Sequence, residues 1–120
     1  MSKVKVLIVD DDETVRLVAS EMLQILESDV TVAASGPEAL KCLETETFDL
    51  LLLDVGMPVM SGVELFRIVR ERSPLQPVAF ISGYAEEDLS DHLDGHTYIV
   101  PKPFTIAALN EVLARLDSLE

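Results

Sequence analysis

The sequence predicts an α/β protein in which five parallel strands alternate with five helices, a doubly wound (βα)5 sheet. The first observation is a set of short apolar runs, rich in valine, isoleucine or leucine, which are typical of strands buried on both faces. The second is that helical patterns, with apolar residues three and four apart, separate these runs. Strands that alternate with helices form parallel sheets with right-handed crossovers, so we expect helices on both faces of this sheet.

The first half of the chain contains three predicted strands and two predicted helices. Residues 4–9 (VKVLIV) form an almost continuous apolar run and predict the first strand. Residues 30–33 predict the second strand, and Ser35 with Glu38 is a capping box that begins the second helix. The leucines at 50–53 predict a central strand rather than a buried helix, because the run is short and chain breakers follow it. The first helix is predicted from the apolar stripe Val15, Val18, Ala19, Met22, Leu23 and Leu26.

The second half of the chain completes the alternation with two strands and three helices. A second capping box, Ser61 and Glu64, begins the third helix. Residues 86–93 are short and polar, and they give the weakest helical pattern of the chain. The remaining predicted elements are strands at residues 78–81 and 97–100 and a final helix capped by Thr105.

The composition predicts one cytoplasmic domain, residues 1–120, without membrane insertion. Hydrophobic residues make up 48% of the chain, enough for one buried core, and no apolar run approaches the roughly 20 residues that span a bilayer. Cys42 is the single cysteine, so an internal disulfide is excluded and a reducing compartment is expected. With 22 acidic against 9 basic residues, a formal charge of −13, direct binding to nucleic acid is not expected.

Polar residues follow four of the predicted strands at their carboxyl ends. Asp10 and Asp11 follow the first strand, Asp54 the third, Ser82 the fourth and Lys102 the fifth. Each residue alone has an ordinary interpretation, as a helix cap, a turn former or a solvated side chain. Because the carboxyl ends of parallel strands share one edge of the sheet, where such folds bind ligands, we expect these side chains to meet there.

The chemistry of these side chains indicates phosphoryl transfer. Carboxylates gathered in one place repel one another unless a cation lies among them, and their hard oxygen ligands favour Mg2+. A carboxylate nucleophile, a metal ion, a lysine and a hydroxyl donor are the groups that transfer of a phosphoryl group to a carboxylate requires. The chain has neither a GxxxxGK[ST] loop nor a GxGxxG segment after the first strand, so other common phosphate-binding devices are missing.

Four short segments carry a resemblance to a known family. Residues 9–13 (VDDDE), 54–62 (DVGMPVMSG), 81–84 (ISGY) and 102–104 (KPF) resemble, in order and spacing, the signature segments of response-regulator receiver domains of two-component signalling. The resemblance runs from about residue 4 to residue 116, and the DxxMPxxxG pattern is its most specific part. It implies a single receiver domain with a flavodoxin-like fold and strand order 2-1-3-4-5.

The resemblance also implies roles for the acidic residues. Asp54 is implied to accept the phosphoryl group, with Mg2+ as the cofactor. The implied direct ligands of Mg2+ are Asp11, Asp54 and the backbone carbonyl of Gly56. Asp10 is implied to act mainly through water.

Two further roles and one departure concern the last strands. Ser82 is implied to hydrogen-bond the phosphoryl group, and Lys102 to pair with Asp54 before transfer and with a phosphoryl oxygen afterwards. Receivers often carry Tyr or Phe three residues before this lysine, where the present chain has Ile99. Tyr98 is one residue earlier and is expected to point to the other face of the strand. The usual aromatic switch is therefore not expected.

The function that the resemblance implies is a phosphorylation-dependent switch in a phosphorelay. A histidine kinase or a histidine phosphotransfer protein would donate the phosphoryl group, and the phosphorylated surface would then bind partners differently, homodimerisation being one such change. The chemistry would be limited to slow self-phosphorylation and autodephosphorylation, so the domain is not expected to be an enzyme.

Two other classes of protein fit the sequence less well than a phosphorylated receiver. An aspartate-nucleophile phosphatase needs a second Asp two residues after the nucleophile, and that position is Gly56. A receiver-shaped docking module that is not phosphorylated would be expected to have a damaged acidic pocket, whereas these acidic residues are all present. Both a stand-alone regulator and a domain of a larger protein, such as a hybrid kinase, are compatible with the sequence.

Overall fold

Five parallel strands form one sheet in the order β2-β1-β3-β4-β5, as the sequence analysis predicted. The structure is a computed structural model that describes residues 3–57, 60–82, 96–101 and 104–117. The predicted helix at 86–93 lies outside these residues. The strands are β1 (Lys5–Val9), β2 (Asp29–Ala33), β3 (Leu50–Asp54), β4 (Val78–Ser82) and β5 (Thr97–Pro101). The described helices are α1 (Glu13–Ile25), α2 (Gly36–Thr45), α3 (Gly62–Arg72) and α4 (Ile106–Asp117).

Helices cover both faces of the sheet and create two separate hydrophobic clusters. Alternate residues of a strand point to opposite faces, so each strand contributes to both clusters. Helices α2 and α3 cover one face and α1 and α4 the other. The first cluster includes Leu7, Val9, Leu51, Leu53, Leu65, Phe66 and Phe80. The second includes Ile8, Leu23, Leu50, Leu52, Ile81, Leu109 and Leu113.

Strand β3 is the centre of the sheet and is buried along its whole length. Its four leucines divide between the two clusters, which confirms that this run is a strand rather than a helix. The register pairs Val9 of β1 with Leu53 of β3 and Asp54 with Ile81 of β4. The residues that follow Val9 and Leu53 therefore emerge side by side at the carboxyl edge of the sheet.

The predicted helix caps are formed at all three positions. The Ser35 hydroxyl accepts a hydrogen bond from the Glu38 N–H at 3.2 Å, and the Ser61 hydroxyl accepts one from the Glu64 N–H at 3.2 Å. The Thr105 hydroxyl accepts from the N–H of Ala108 at 3.1 Å. These bonds satisfy backbone donors that have no partner within their helices, so the three helices begin at defined residues. No helix among the described ranges is long and apolar enough to cross a membrane.

Helix α1 ends in a turn whose residue Glu27 adopts a left-handed backbone, with φ of 65°. The Glu27 N–H donates to the carbonyl of Gln24 and the Ser28 N–H donates to that of Leu23, as in helix ends that normally carry glycine at this position. A side chain with a Cβ atom is disfavoured in this conformation, so Glu27 costs stability.

We expect Glu27→Gly to raise the free energy of unfolding by about 0.5–1 kcal/mol, because glycine adopts the left-handed backbone without steric cost. Chemical denaturation measures the change. The matched control is Glu21→Gly, which removes the same charge from the exposed interior of α1 and should lower stability by about 1 kcal/mol. A destabilised Glu27→Gly protein would show that the left-handed backbone is not a source of strain.

Candidate functional site

Three carboxylates meet at the carboxyl edge of the sheet. Asp10 and Asp11 follow β1, and Asp54 is the last residue of the neighbouring strand β3. Each of the three offers a carboxylate oxygen, and these oxygens lie within 4.8 Å of one another. We call Asp10, Asp11 and Asp54 the acid cluster. The sequence analysis predicted that these residues would meet, and the parallel pairing of β1 with β3 is what brings them together.

The members of the acid cluster differ in burial. Asp10 is 1% exposed and Asp54 is 8% exposed, whereas Asp11 is an exposed residue. The backbone holds the two buried carboxylates, because Asp12 N–H donates to Asp10 Oδ1 at 2.9 Å and Gly56 N–H donates to Asp54 Oδ1 at 3.4 Å. The cluster is therefore anchored by the fold on its inner side and open to solvent on the side of Asp11.

The two acidic residues that follow Asp11 belong to the helix and not to the cluster. Asp12 is the N-cap of α1, and its carboxylate accepts hydrogen bonds from the N–H groups of Thr14 at 2.8 Å and Val15 at 3.4 Å. Glu13 lies in the first turn of α1, where a negative charge interacts favourably with the helix dipole. The acidic run at residues 10–13 therefore has two parts. Its first two residues belong to the acid cluster, and Asp12 and Glu13 stabilise the start of α1.

The acid cluster suits a hard divalent cation such as Mg2+. Its donors are carboxylate oxygens, which Mg2+ prefers, and the exposed Asp11 leaves room for the water that Mg2+ retains. Three carboxylates this close repel one another, and a bound cation would relieve that repulsion. Gly56 is placed two residues after Asp54, in the loop beside the cluster, so the ligand role of its carbonyl stays a prediction.

The other two predicted site residues, Ser82 and Lys102, come at the ends of β4 and β5 in the sequence. Ser82 is the last residue of β4 and pairs with Pro101 of β5 in the ladder, which places its backbone at the same edge of the sheet as Asp54. The Ser82 side chain and the whole of Lys102 lie outside the described part of the chain. Their predicted contacts with a phosphoryl group therefore stay predictions.

Residues Tyr98 and Ile99 of β5 point to opposite faces of the sheet, as predicted. Ile99 packs against the cluster beneath α2 and α3, whereas Tyr98 packs against the cluster beneath α1 and α4. The aliphatic residue therefore occupies the face on which receivers often carry the aromatic residue. An aromatic side chain at position 98 cannot take over that place without a shift in strand register.

Gly62 is a residue of the site to which the sequence analysis gave no role of its own. It is the first residue of α3, and its N–H donates to the carbonyl of Val55 at 3.1 Å. A Cβ atom on Gly62 would collide with the carbonyl oxygen of Asp54 and lie 2.9 Å from its carbonyl carbon. Glycine therefore lets α3 begin directly against the backbone of Asp54. The final G of the DxxMPxxxG pattern was the available signal.

Arg16 is a second residue that the sequence analysis did not single out. It lies in the first turns of α1 and donates from Nη1 to the backbone carbonyl of Asp10 at 2.8 Å. A single arginine on a helix ordinarily indicates a solvated side chain, so the sequence pattern contained no signal for this contact.

Comparison with known proteins identifies the family to which this fold and acid cluster belong. The chain belongs to the response regulator receiver domain family, whose model matches residues 6–114. Receiver domains of this family are the phosphorylation-dependent switches of two-component signalling, and the chain shares that class of function.

Particular relatives cover nearly all of the chain. The DNA-binding transcriptional regulator NtrC of Klebsiella pneumoniae is 36% identical over 112 residues, 92% of this chain and 23% of NtrC. Sensor kinase CckA of Brucella abortus is 38% identical over 120 residues, 93% of this chain and 13% of CckA. The chain thus spans a quarter or less of either curated relative. The crystal structure of TrrA from Thermotoga maritima, in complex with Mg2+-BeF, is 28% identical with a TM-score of 0.82 and covers 94% of this chain and 98% of TrrA.

We expect Gly62→Ala to lower the free energy of unfolding by about 1–3 kcal/mol, because the added methyl group forces α3 away from the Asp54 backbone. Thermal unfolding measures the effect, which for a domain of this size is several degrees. The matched control is Gly56→Ala in the loop between β3 and α3, where an added Cβ would meet no atom within 4 Å and the backbone is not left-handed. A Gly62→Ala protein as stable as Gly56→Ala would contradict the close approach of α3.

Proposed function

We propose that this receiver domain accepts a phosphoryl group on Asp54 in the presence of Mg2+ and then presents a changed surface to its partners. The observation that carries the proposal is the acid cluster, in which a nearly buried carboxylate at the end of the central strand adjoins two further carboxylates. A nucleophile and a metal site next to each other are what phosphoryl transfer to a carboxylate requires.

The environments of the acidic residues favour Asp54 as the acceptor. Asp10 is 1% exposed, so an incoming donor has little access to it. Asp11 is exposed at the open side of the cluster, which suits a ligand of a metal ion that keeps its water. Asp54 is held at one oxygen by the Gly56 N–H, and this hydrogen bond orients the carboxylate for attack.

The chemical step is a displacement at phosphorus. A carboxylate oxygen of Asp54 forms a bond to the phosphorus atom, while the bond from phosphorus to the donor's imidazole nitrogen breaks and its electron pair stays on that nitrogen. Bound Mg2+ would neutralise the charge that develops on the phosphoryl oxygens. Asp11, Asp54 and the Gly56 carbonyl would hold the ion directly, with Asp10 acting mainly through water.

We propose that Ser82 and Lys102 bind the phosphoryl oxygens and so couple phosphorylation to the change in the surface. Ser82 would donate its hydroxyl hydrogen to a phosphoryl oxygen, and Lys102 would transfer its pairing from Asp54 to a phosphoryl oxygen. Ser82 ends β4, the strand next to β3, and Lys102 follows in sequence directly after Pro101, the last residue of β5. Because Ile99 replaces the aromatic residue at the switch position, we place the surface change in the loops after β4 and β5.

The phosphoryl donor in this proposal is a histidine kinase or a histidine phosphotransfer protein. The relatives include a sensor kinase, which supports a place in a phosphorelay. The formal charge of −13 disfavours direct binding to nucleic acid. We therefore propose an output through protein contacts, among which a homodimer formed on phosphorylation is one form. The proposal places the domain in the cytoplasm.

We propose further that the domain is a switch and not an enzyme, with slow self-phosphorylation and autodephosphorylation as its only chemistry. Gly56 supports this view, because an aspartate-nucleophile phosphatase would need an acidic residue there as a general acid. The alternative of a docking module that is not phosphorylated is less well supported, since the three carboxylates remain within 4.8 Å of one another.

We expect acetyl phosphate to phosphorylate Asp54 alone, and only when Mg2+ is present. Intact-mass spectrometry would detect the gain of one phosphoryl group in the wild-type protein. The gain should vanish in Asp54→Asn, because the amide is not nucleophilic, and also when a chelator removes Mg2+.

The matched control for this test is Asp12→Asn. It removes a carboxylate two residues from Asp10, but Asn is an equally good N-cap, so α1 stays intact and phosphorylation should persist. Undiminished phosphorylation of Asp54→Asn would contradict the proposed acceptor.

A further inference from the structure

The hydrogen bond from Arg16 to Asp10 brings a fixed positive charge to the acid cluster. Arg16 is half-buried, and its Nη1 lies 2.8 Å from the Asp10 carbonyl oxygen. It is the only Lys or Arg between Lys5 and Lys41 in the sequence, a stretch that contains eight acidic residues. The arginine is thus placed where negative charge is most concentrated along this part of the chain.

The backbone around Asp10 is held by other hydrogen bonds besides the one that Arg16 donates. The Asp10 N–H already donates to the carbonyl of Ala33 at 3.2 Å, and Asp10 Oδ1 accepts from the Asp12 N–H at 2.9 Å. Asp12 is fixed in turn as the N-cap of α1. Because the segment on both sides of Asp11 has these other anchors, the main effect of Arg16 on the cluster should come from its charge.

The charge of Arg16 acts at short range on the cluster. Covalent geometry keeps the carboxylate of an aspartate within about 5 Å of its own carbonyl oxygen, so the guanidinium stands within roughly 8 Å of the Asp10 carboxylate. This separation is no longer than the Debye length of about 8 Å at physiological salt, so solvent ions screen the interaction only in part. A guanidinium remains charged at every accessible pH.

We propose that Arg16 is a built-in counter-charge that stabilises the acid cluster without metal and, for the same reason, weakens its affinity for a divalent cation. The inference rests on the proposed function, since it concerns the same Mg2+ site. A positive charge near three carboxylates offsets their repulsion when no ion is bound, and it repels an incoming cation. The site then exchanges its metal readily instead of holding it permanently.

The expected effect follows from the interaction of one positive charge with a doubly charged ion. At roughly 8 Å in water, partly screened by salt, removal of that charge should tighten Mg2+ binding by roughly two- to tenfold. It should also lower the melting temperature of the metal-free protein. Both changes should shrink as the salt concentration rises, because surface charges are screened.

The experiment titrates MgCl2 into the wild type, Arg16→Met and Arg16→Gln while amide chemical shifts are followed by NMR, at low and at high KCl. Both neutral variants should bind Mg2+ more tightly at low salt, and the difference from wild type should decrease at high salt. Arg16→Lys retains the charge and should stay within about twofold of the wild-type Kd. If one of the two neutral variants folds poorly, the other still tests the proposal.

The matched control is Arg72→Met. Arg72 is an exposed residue at the last position of α3, about 15 Å along the helix from Gly62 and hence far from the cluster. Its substitution makes the same change in net charge and should leave the Mg2+ affinity unaltered. A Kd that changes equally in Arg72→Met and Arg16→Met would assign the effect to net charge and overturn the proposal.

Other outcomes separate this inference from the function on which it rests. Neutral Arg16 variants that bind Mg2+ as wild type does, or more weakly, would overturn the counter-charge while the proposed function stands. An equal loss of melting temperature with and without Mg2+, independent of salt, would show a purely structural role for Arg16. A wild-type protein that shows no Mg2+-dependent shifts would overturn the proposed metal site itself.

Discussion

The mutual repulsion of three carboxylates is the constraint on which this structure depends. Asp10, Asp11 and Asp54 offer oxygens within 4.8 Å of one another, and two of these residues are almost completely buried. Like charges this close repel one another, and burial removes the water that would screen the repulsion. The fold offsets this cost with backbone N–H donors at Asp12 and Gly56, and a bound cation would offset more of it. The binding of metal is thereby linked to the stability of the carboxyl edge.

The arrangement of the sheet is what makes so close a cluster possible. Strand β2 lies on the outer side of β1, so β1 pairs with β3 on its other side. The pairing of β1 with β3 aligns Val9 with Leu53. The hydrophobic clusters on both faces hold these strands in register. Gly62 then lets α3 begin against the Asp54 backbone, which fixes the loop that carries Gly56. Packing far from the site thus determines the positions of the carboxylates.

Hydropathy patterns and motifs were sufficient to predict the sheet and the meeting of the three carboxylates. The central leucine run, the two serine capping boxes and the acidic residues after β1 and β3 each have a local signal, because burial, capping and charge depend on residue type. The contact of Arg16 has no such signal, since it depends on how closely α1 approaches the end of β1. For Gly62 the motif marked the position, but the reason for glycine depends on how closely α3 approaches the Asp54 backbone. The opposite orientations of Tyr98 and Ile99 were predictable, because side chains along a strand alternate between the two faces of the sheet.

We propose above all that the three carboxylates form one divalent-cation site beside Asp54, the proposed phosphoacceptor. Paramagnetic Mn2+, used in place of Mg2+, would test it most directly through the broadening of nearby amide signals in NMR spectra. We expect broadening around Asp10 and Asp54, its loss in Asp11→Asn, and sharp signals for residues 44–47, which lie by the Lys5 end of β1. Broadening centred on residues 44–47, or broadening around Asp54 that persists in Asp11→Asn, would contradict the claim.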